Sequence, residues 1–568
     1  MKHIALATAL GLAACKDDAA SHDDGGPGSA SASASASASA GSDGGDTSAG
    51  DDGSTGEATP PVDDPLDAVA LLNRASLDLR GVRPSADELA QVEGDPAAVD
   101  GIIEGFVDDP AWAGRVKDIF AGAWRTRIDV YDAPDGVYGG EQPPAYHTAV
   151  GEEVLDLIAY VAMNDLPFRE ILLSPDTFVD PLLLSLWPLE QQAAGNEWLP
   201  PGTVRARYTD GRPQAGVLSL NAVYWRHPST VENANRGRTN ALSQALLCQS
   251  YLDRPIDFPT DLDLTDSESI RQAIREVGAC QACHATLDPF ASYLWGFMYP
   301  NEPSTTYSVA AERDWQIYTD TPPGFFGVPG ERLVDLGQQI ADDERFVSCT
   351  VRRVYEGMLG RDAVLQDEGA LAEHREAFLA SSLSLKALVR SILHDPSYRG
   401  VHWEPRFGGT PAPVPLKVAP VEVWSRSLTE LSGYALEFGG RDGTRLDAAV
   451  RTLAGGSDRG DATDVSTGAV LVQRRLAEAG ATWLVDNQGS SGGRLDEVLA
   501  GVDLEAAPSD ATLVALVQTA RAKTLDTDDP ELVALAQLWT DAAAIDDTRG
   551  AWIALLTAVL ADPDHLLY

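Results

Sequence analysis

Four times along this chain an apolar run of helical period stops at Asp-Pro or Ser-Pro, with an aromatic or imidazole ring soon after. The four are Asp109-Pro110 before Trp112, Ser174-Pro175 before Phe178, Asp395-Pro396 before Tyr398 and Asp562-Pro563 before His565. Asp and Ser cap helix N-termini, and proline is tolerated at the first helical position because the N–H it lacks has no partner there. Each corner therefore ends one helix and starts the next, and the ring beyond it packs back on the helix just left. This punctuation predicts a mostly α, multi-helix fold of short helices joined by Asp/Ser-Pro corners. A sizeable core is available to it, since 44% of the 568 residues are hydrophobic, and the length allows about three domains.

The first residues read as an export signal. Lys2 supplies a positive start, Ile4 to Ala14 is apolar, and Leu12-Ala13-Ala14-Cys15 resembles a bacterial lipobox, in which cleavage precedes a lipid-bearing cysteine. The apolar run is too short to span a bilayer. The alternative is an ordinary secretory signal with an incidental cysteine. From Lys16 to about Asp64 the chain is Asp, Gly, Ser and Ala, with a Ser-Ala repeat over 29–40. Such a stretch buries almost nothing and is expected to be a disordered tether, which suits a lipid anchor at Cys15. Lys16, rather than Asp, follows the cysteine and points to the outer membrane. The formal net charge of −44 excludes nucleic acid and anionic lipid surfaces as natural partners and suits a basic partner protein. Most of these charges are expected on solvated faces.

The chemistry concentrates in Cys280-Gln281-Ala282-Cys283-His284. C-x-x-C-H is the attachment pattern of c-type haem: the two thiols add to the vinyl groups and the imidazole ligates the iron from one face. A Cys280–Cys283 disulfide and half of a zinc site are the other readings. Zinc would need two further ligands, and no second Cys/His pair stands at matched spacing. Ahead of the motif, Thr265-x-x-Glu268 reads as a capping box for a helix through Ile270, Ala273, Ile274 and Val277. Gly278 is expected to end that helix and deliver Cys280 in a turn.

Around this motif the chain resembles the planctomycete cytochrome-type modules, exported bacterial proteins of largely unknown function. The resemblance rests on Arg74-Ala75-Ser76-Leu77-Asp78-Leu79-Arg80-Gly81 with Pro84 and Glu88, on Asn164 to Leu172, on Gly216 to Leu220, and on Arg236-Gly237-Arg238 with Leu246-Leu247-Cys248. It continues through C-x-x-C-H into Leu287-Asp288-Pro289, where the family reads MDP, and through Phe346 to Cys349, Gly360-Arg361 and Leu388 to Tyr398. It covers roughly 65–400. The family's later FD is Phe297-Met298 here, so the downstream half departs from the pattern. The resemblance implies a monohaem c-type cytochrome-like lipoprotein that moves electrons at the cell envelope.

A haem c needs further contacts. Met298 and His227 are the candidates for the sixth iron position, and a Met/His pair raises the potential relative to two histidines. The plain readings are a core methionine and a hydrogen-bonding histidine. Arg236 and Arg238 are candidates for the haem propionates, with ordinary ion pairs as the alternative. Cys248 and Cys349 remain once the motif and Cys15 are set aside, and an exported chain is expected to join them in a disulfide. No nucleophile elbow occurs, and none of the glycine pairs stands in dinucleotide-binding register. Enzymatic activity stays open. A haem enzyme or ligand sensor, peroxidase-like, would follow from an open sixth position; a non-haem surface scaffold or polymer-binding protein would follow from a Cys280–Cys283 disulfide.

The expected organisation is a signal peptide (1–15), a tether (16–64), an N-terminal helical domain (65–210), a central c-type haem-binding segment in a cytochrome c-like domain (211–400) and a helical C-terminal domain (401–568).

Overall fold

The computed structural model describes residues 65–128, 130–131, 144–253, 266–298, 304–400, 402–404, 412–414, 417–436, 448–456 and 465–568. The expected export signal, Cys15 and the expected tether (1–64), together with Thr265, lie outside the described residues. The fold is mostly α. Among the described residues three small antiparallel sheets form, the largest with Val204–Tyr208 between Thr177–Val179 and Leu189–Gln191. Among the described residues no helix is long and apolar enough to cross a membrane.

The Ala68–Arg80 helix shows how local sequence sets an element and tertiary packing then claims it. Asp67 accepts from the Ala70 N–H at its start, and Gly81 closes it in the left-handed region at φ 71°. Ser85 and Glu88 form a reciprocal capping box for the next helix, and Glu88 also takes a two-pronged contact from Arg80, at 2.9 Å to each oxygen. Burial exceeds one apolar stripe, because Arg74 and Asp78 are buried as well. Arg74 donates to the carbonyls of Tyr398 and Gly400. The Asp78 carboxylate accepts from the Tyr398 hydroxyl at 3.0 Å, the Tyr568 hydroxyl at 2.6 Å and the Lys417 ammonium.

One buried cluster runs from Leu71 to Tyr398 and crosses residue 210 without a break. A second gathers residues 419–568 together with Leu77. Leu77 and Asp78 are thus adjacent residues facing the second body. Lys417 and Tyr568 pair backbone to backbone, and Ala419 donates to Leu566, which closes the second body beside Asp78. The Thr548–Leu560 helix is buried at Ala551, Trp552, Leu555, Leu556, Val559 and Leu560, as its apolar run predicts.

Two of the four corners, Asp395-Pro396 and Asp562-Pro563, form as expected; at Asp109-Pro110 the chain makes the same local turn, but the next helix starts at Trp112 with Ala111 before it, so the proline lies outside the helix. Asp109, Asp395 and Asp562 each accept from the backbone N–H two residues on, and Trp112, Tyr398 and His565 are buried. Asp95-Pro96, Asp180-Pro181 and Asp529-Pro530 repeat the device. Ser174 departs from it. Its hydroxyl accepts from Asp176 in the same way, but the chain then enters the Thr177–Val179 strand, because Val204–Tyr208 supplies a ladder there. A long helix runs over Pro144–Met163 and ends ahead of Asp165, which lies at φ 52° just before Leu166-Pro167.

Removing the Asp78 carboxylate leaves buried Lys417 without a counter-ion, with the Met358 carbonyl still accepting from it. Asp78→Ala should lose about 3–5 kcal/mol in urea unfolding. Asp78→Ala with Lys417→Met should recover part of that loss.

Glu153, within the Pro144–Met163 helix, is fully buried and accepts from Tyr208 and Thr177 through one oxygen, while Oε2 has no partner. Burial pushes its carboxyl up to about 7 from an ordinary 4.5, with the Tyr208 bond opposing. The folded chain therefore binds the extra proton between those values, and stability falls as pH rises from 4.5 through 7. Glu153→Gln should abolish that slope and unfold at higher urea than wild type at pH 8, by on the order of 3 kcal/mol.

Candidate functional site

The C-x-x-C-H motif lies in a helix, not in a turn. The preceding helix, Ser267–Glu276, is capped by Asp266, which accepts from Glu268 and Ser269. It ends at Val277, whose extended backbone (φ −92°, ψ 117°) is natural for a β-branched residue. Gly278 then opens the helix Gly278–Ser292, and Cys280 is its third residue. The break expected at Gly278 falls one residue earlier, so the glycine is not used as a left-handed cap.

Placing the motif on a helix changes which groups meet. Cys280, Cys283 and His284 stand at i, i+3 and i+4, on one face, and Asp288 is one further turn along. His284 Nδ1 and Asp288 Oδ1 are 2.9 Å apart. The Arg236 guanidinium grips the same carboxylate with two bonds, Nε to Oδ1 at 2.7 Å and Nη2 to Oδ2 at 2.9 Å. Burial alone would push the Asp288 carboxyl up, but the bonds from Arg236 and then His284 hold it below its ordinary value. Its charge is therefore kept, and His284 Nδ1 carries the proton in that contact. Nε2 is left as the ring's other functional nitrogen. His284 is partly buried, with 22% of its side chain exposed. Cys280 and Cys283 are free thiols of intermediate exposure.

Beside the motif a polar pocket of about 270 Å³ is lined by Cys283, Thr286, Tyr251, Ser243, Cys248 and Phe326, among others. It is smaller than the roughly 300–1,000 Å³ common for organic ligands, so it would hold part of a macrocycle at most. The donor set fits a covalently attached haem: two free thiols one turn apart and an imidazole whose Nδ1 is already engaged. Among the described residues no group of three or more His, Cys, Asp and Glu is placed to hold a metal ion, so the half-zinc reading finds no further ligands.

The other candidates are engaged by partners inside the protein. Arg238 is 2% exposed and donates to the carbonyls of His227, Tyr224 and Phe297 and to the Asn235 side chain. It ties the Asn221–Arg226 helix and its end to Asn235 and to the short turn at Phe297, and is not directed at a propionate. Arg236 is turned from that role too, because Asp288 occupies its fork. Met298 is buried against Trp295 and Ala234. His227 ends the short Asn221–Arg226 helix and gives its carbonyl to Arg238. The two sixth-ligand candidates therefore flank Arg238, one through its own carbonyl and the other next to Phe297.

Cys248 and Cys349 form the expected disulfide, with Cα atoms 5.2 Å apart. The Arg236–Leu247 helix is thus held at both ends. Two left-handed residues, Ala234 (φ 51°) and Asn235 (φ 64°), turn the chain into its first residue, Arg236, and Cys248 closes it. The sequence separation of 101 residues encloses the whole C-x-x-C-H helix within the disulfide loop. Asp288 is the site residue that the sequence reading left unassigned. Its signal was present, since it stands four residues after His284, but four residues mean contact only on a helix.

No protein-family model, curated protein or solved structure matches the chain.

Non-reducing peptide mapping should join the peptides of Cys248 and Cys349 and leave Cys280 and Cys283 out of any link to them. Replacing both linked cysteines by Ser should lower stability in urea by at most ~4.7 kcal/mol, the loop-entropy value for such a span.

Proposed function

We propose that the chain is a lipid-anchored, cell-envelope c-type cytochrome-like protein that binds one haem covalently through Cys280 and Cys283 and transfers electrons. The observation that carries this reading is the helical trio with its carboxylate: two free thiols and His284 on one face, with His284 Nδ1 taken by Asp288. Haem c supplies a one-electron iron couple when bound. In this role Cys280 and Cys283 fix the group covalently, which matters outside the cytoplasm, where a lost group is not replaced. His284 presents Nε2 as the proximal ligand. Asp288 and Arg236 would hold the ring's orientation, and Met298 or His227 would supply the iron's further ligand. The anchor is the lipid on Cys15, with residues 16–64 as the tether. The net charge of −44 favours a basic redox partner.

A second reading is favoured by the position of Cys280 in the first turn of its helix, with Cys283 one turn on. That is also the layout of a dithiol–disulfide exchange site. In it the thiols cycle and no haem is attached.

The two readings separate in one experiment. Exported from a host competent in c-type maturation, the chain should show a pyridine haemochrome spectrum and a haem stain that survives denaturing electrophoresis. Replacing both Cys280 and Cys283 by Ala should abolish both signals. A wild-type chain without either signal, whose Cys280 and Cys283 interconvert with a disulfide under a glutathione buffer, would establish the exchange reading instead.

A further inference from the structure

We propose that Asp288 and Arg236 are an opposed pair of positioning residues that set the electron donation of His284 to an iron bound at Nε2; this rests on the haem reading above. The carboxylate draws on the Nδ1 proton at 2.9 Å and so gives the imidazole partial imidazolate character. A ring of that character donates more strongly and favours the more highly charged, oxidised iron. Arg236 works against this. Its two bonds, at 2.7 and 2.9 Å, occupy both oxygens of the same carboxylate and neutralise its charge. The three groups form a line from α-helix to α-helix, Arg236 on one and Asp288 with His284 on the other, and none is fully exposed. Partial burial keeps their mutual fields from being screened away.

The geometry gives the two partners opposite signs. Losing the Asp288 charge weakens the pull on Nδ1 and leaves Arg236 as an uncompensated cation. Losing the Arg236 charge frees the carboxylate to pull harder. A structural role alone would not produce that opposition, because loosening the site from either side would shift a property in the same direction. The pair also accounts for the Asp of the Leu287-Asp288-Pro289 segment and the first Arg of Arg236-Gly237-Arg238. Neither is then a propionate contact or a surface charge.

The test has two arms. In the haem-bearing full chain, spectroelectrochemical titration of Asp288→Asn should give a midpoint potential above wild type, and Arg236→Gln one below it. The double variant should fall between the two. In the same samples, the iron–histidine stretch of the transient five-coordinate ferrous form made by photolysis of the carbon monoxide complex should move down in Asp288→Asn and up in Arg236→Gln. In the full chain exported without haem maturation, ¹⁵N spectra of labelled histidine should show His284 protonated at Nδ1. Asp288→Asn should redistribute that proton, and Arg236→Gln should leave it in place. Potentials that move in the same direction for both single variants, or for neither, would overturn the proposal, as would a His284 proton on Nε2 in wild type. A chain that carries no covalent haem overturns the haem reading alone, and the tautomer arm still decides whether Asp288 positions the ring.

Discussion

One buried carboxylate, Asp78, gathers donors from both bodies of this protein at their junction. Asp78 is 1% exposed and receives the hydroxyls of Tyr398 and Tyr568 and the ammonium of Lys417, while its backbone carbonyl takes Arg115. Each side-chain donor comes from a different stretch: the end of the first core, the start of the second, and residue 568. Removing a carboxylate and an ammonium from water costs several kcal/mol per ion, and only a full set of partners offsets it. Burial correspondingly pulls the Lys417 ammonium down to about 8, against the upward pull of Asp78, and raises both tyrosine hydroxyls well above their ordinary range. The network specifies one relative placement of three distant segments, because any other leaves a charge buried without a partner.

The same helix makes the two bodies one piece of packing. Leu71, Leu72, Ala75 and Leu79 belong to the first core, and Leu77 to the second. A further buried ionic group reinforces the junction, with Asp118 receiving Arg115 and Arg127 from the first body and Arg426 from the second. The C-x-x-C-H helix joins the first core through Phe290, and its segment is tied further by the disulfide that encloses it, by Arg238 on the Phe297 carbonyl and by Arg236 on Asp288.

What could be read in advance follows the range of each interaction. Gly81, the Ser85–Glu88 box and the Asp-Pro corners act within a few residues, so their chemistry stands in the sequence. Ser174 made the same local turn, but the strand after it depends on a partner some thirty residues away. Arg74 and Asp78 stood inside the recognisable motif, yet their charges look like a solvated face until Tyr398, Lys417 and Tyr568 are brought to them. The Cys248–Cys349 pair was legible by elimination, since exported chains seldom keep two spare thiols. The site divided in the same way. Spacing alone marked Cys280, Cys283 and His284. The turn expected at Gly278 hid Asp288, which meets His284 only because Val277, not the glycine, breaks the chain. Arg236 and Arg238 were rightly singled out as scarce cations, but carboxylate and carbonyl partners already inside the protein claim them.

The central claim is that Cys280 and Cys283 are haem-attachment thiols. Peptide mass spectrometry of the wild-type chain, matured in a host competent for c-type cytochromes and treated with a thiol alkylating agent under reducing conditions, tests it most directly. The account predicts that the peptide spanning both cysteines carries the mass of one haem and that neither thiol is alkylated. That peptide recovered without haem and with both cysteines alkylated would contradict it.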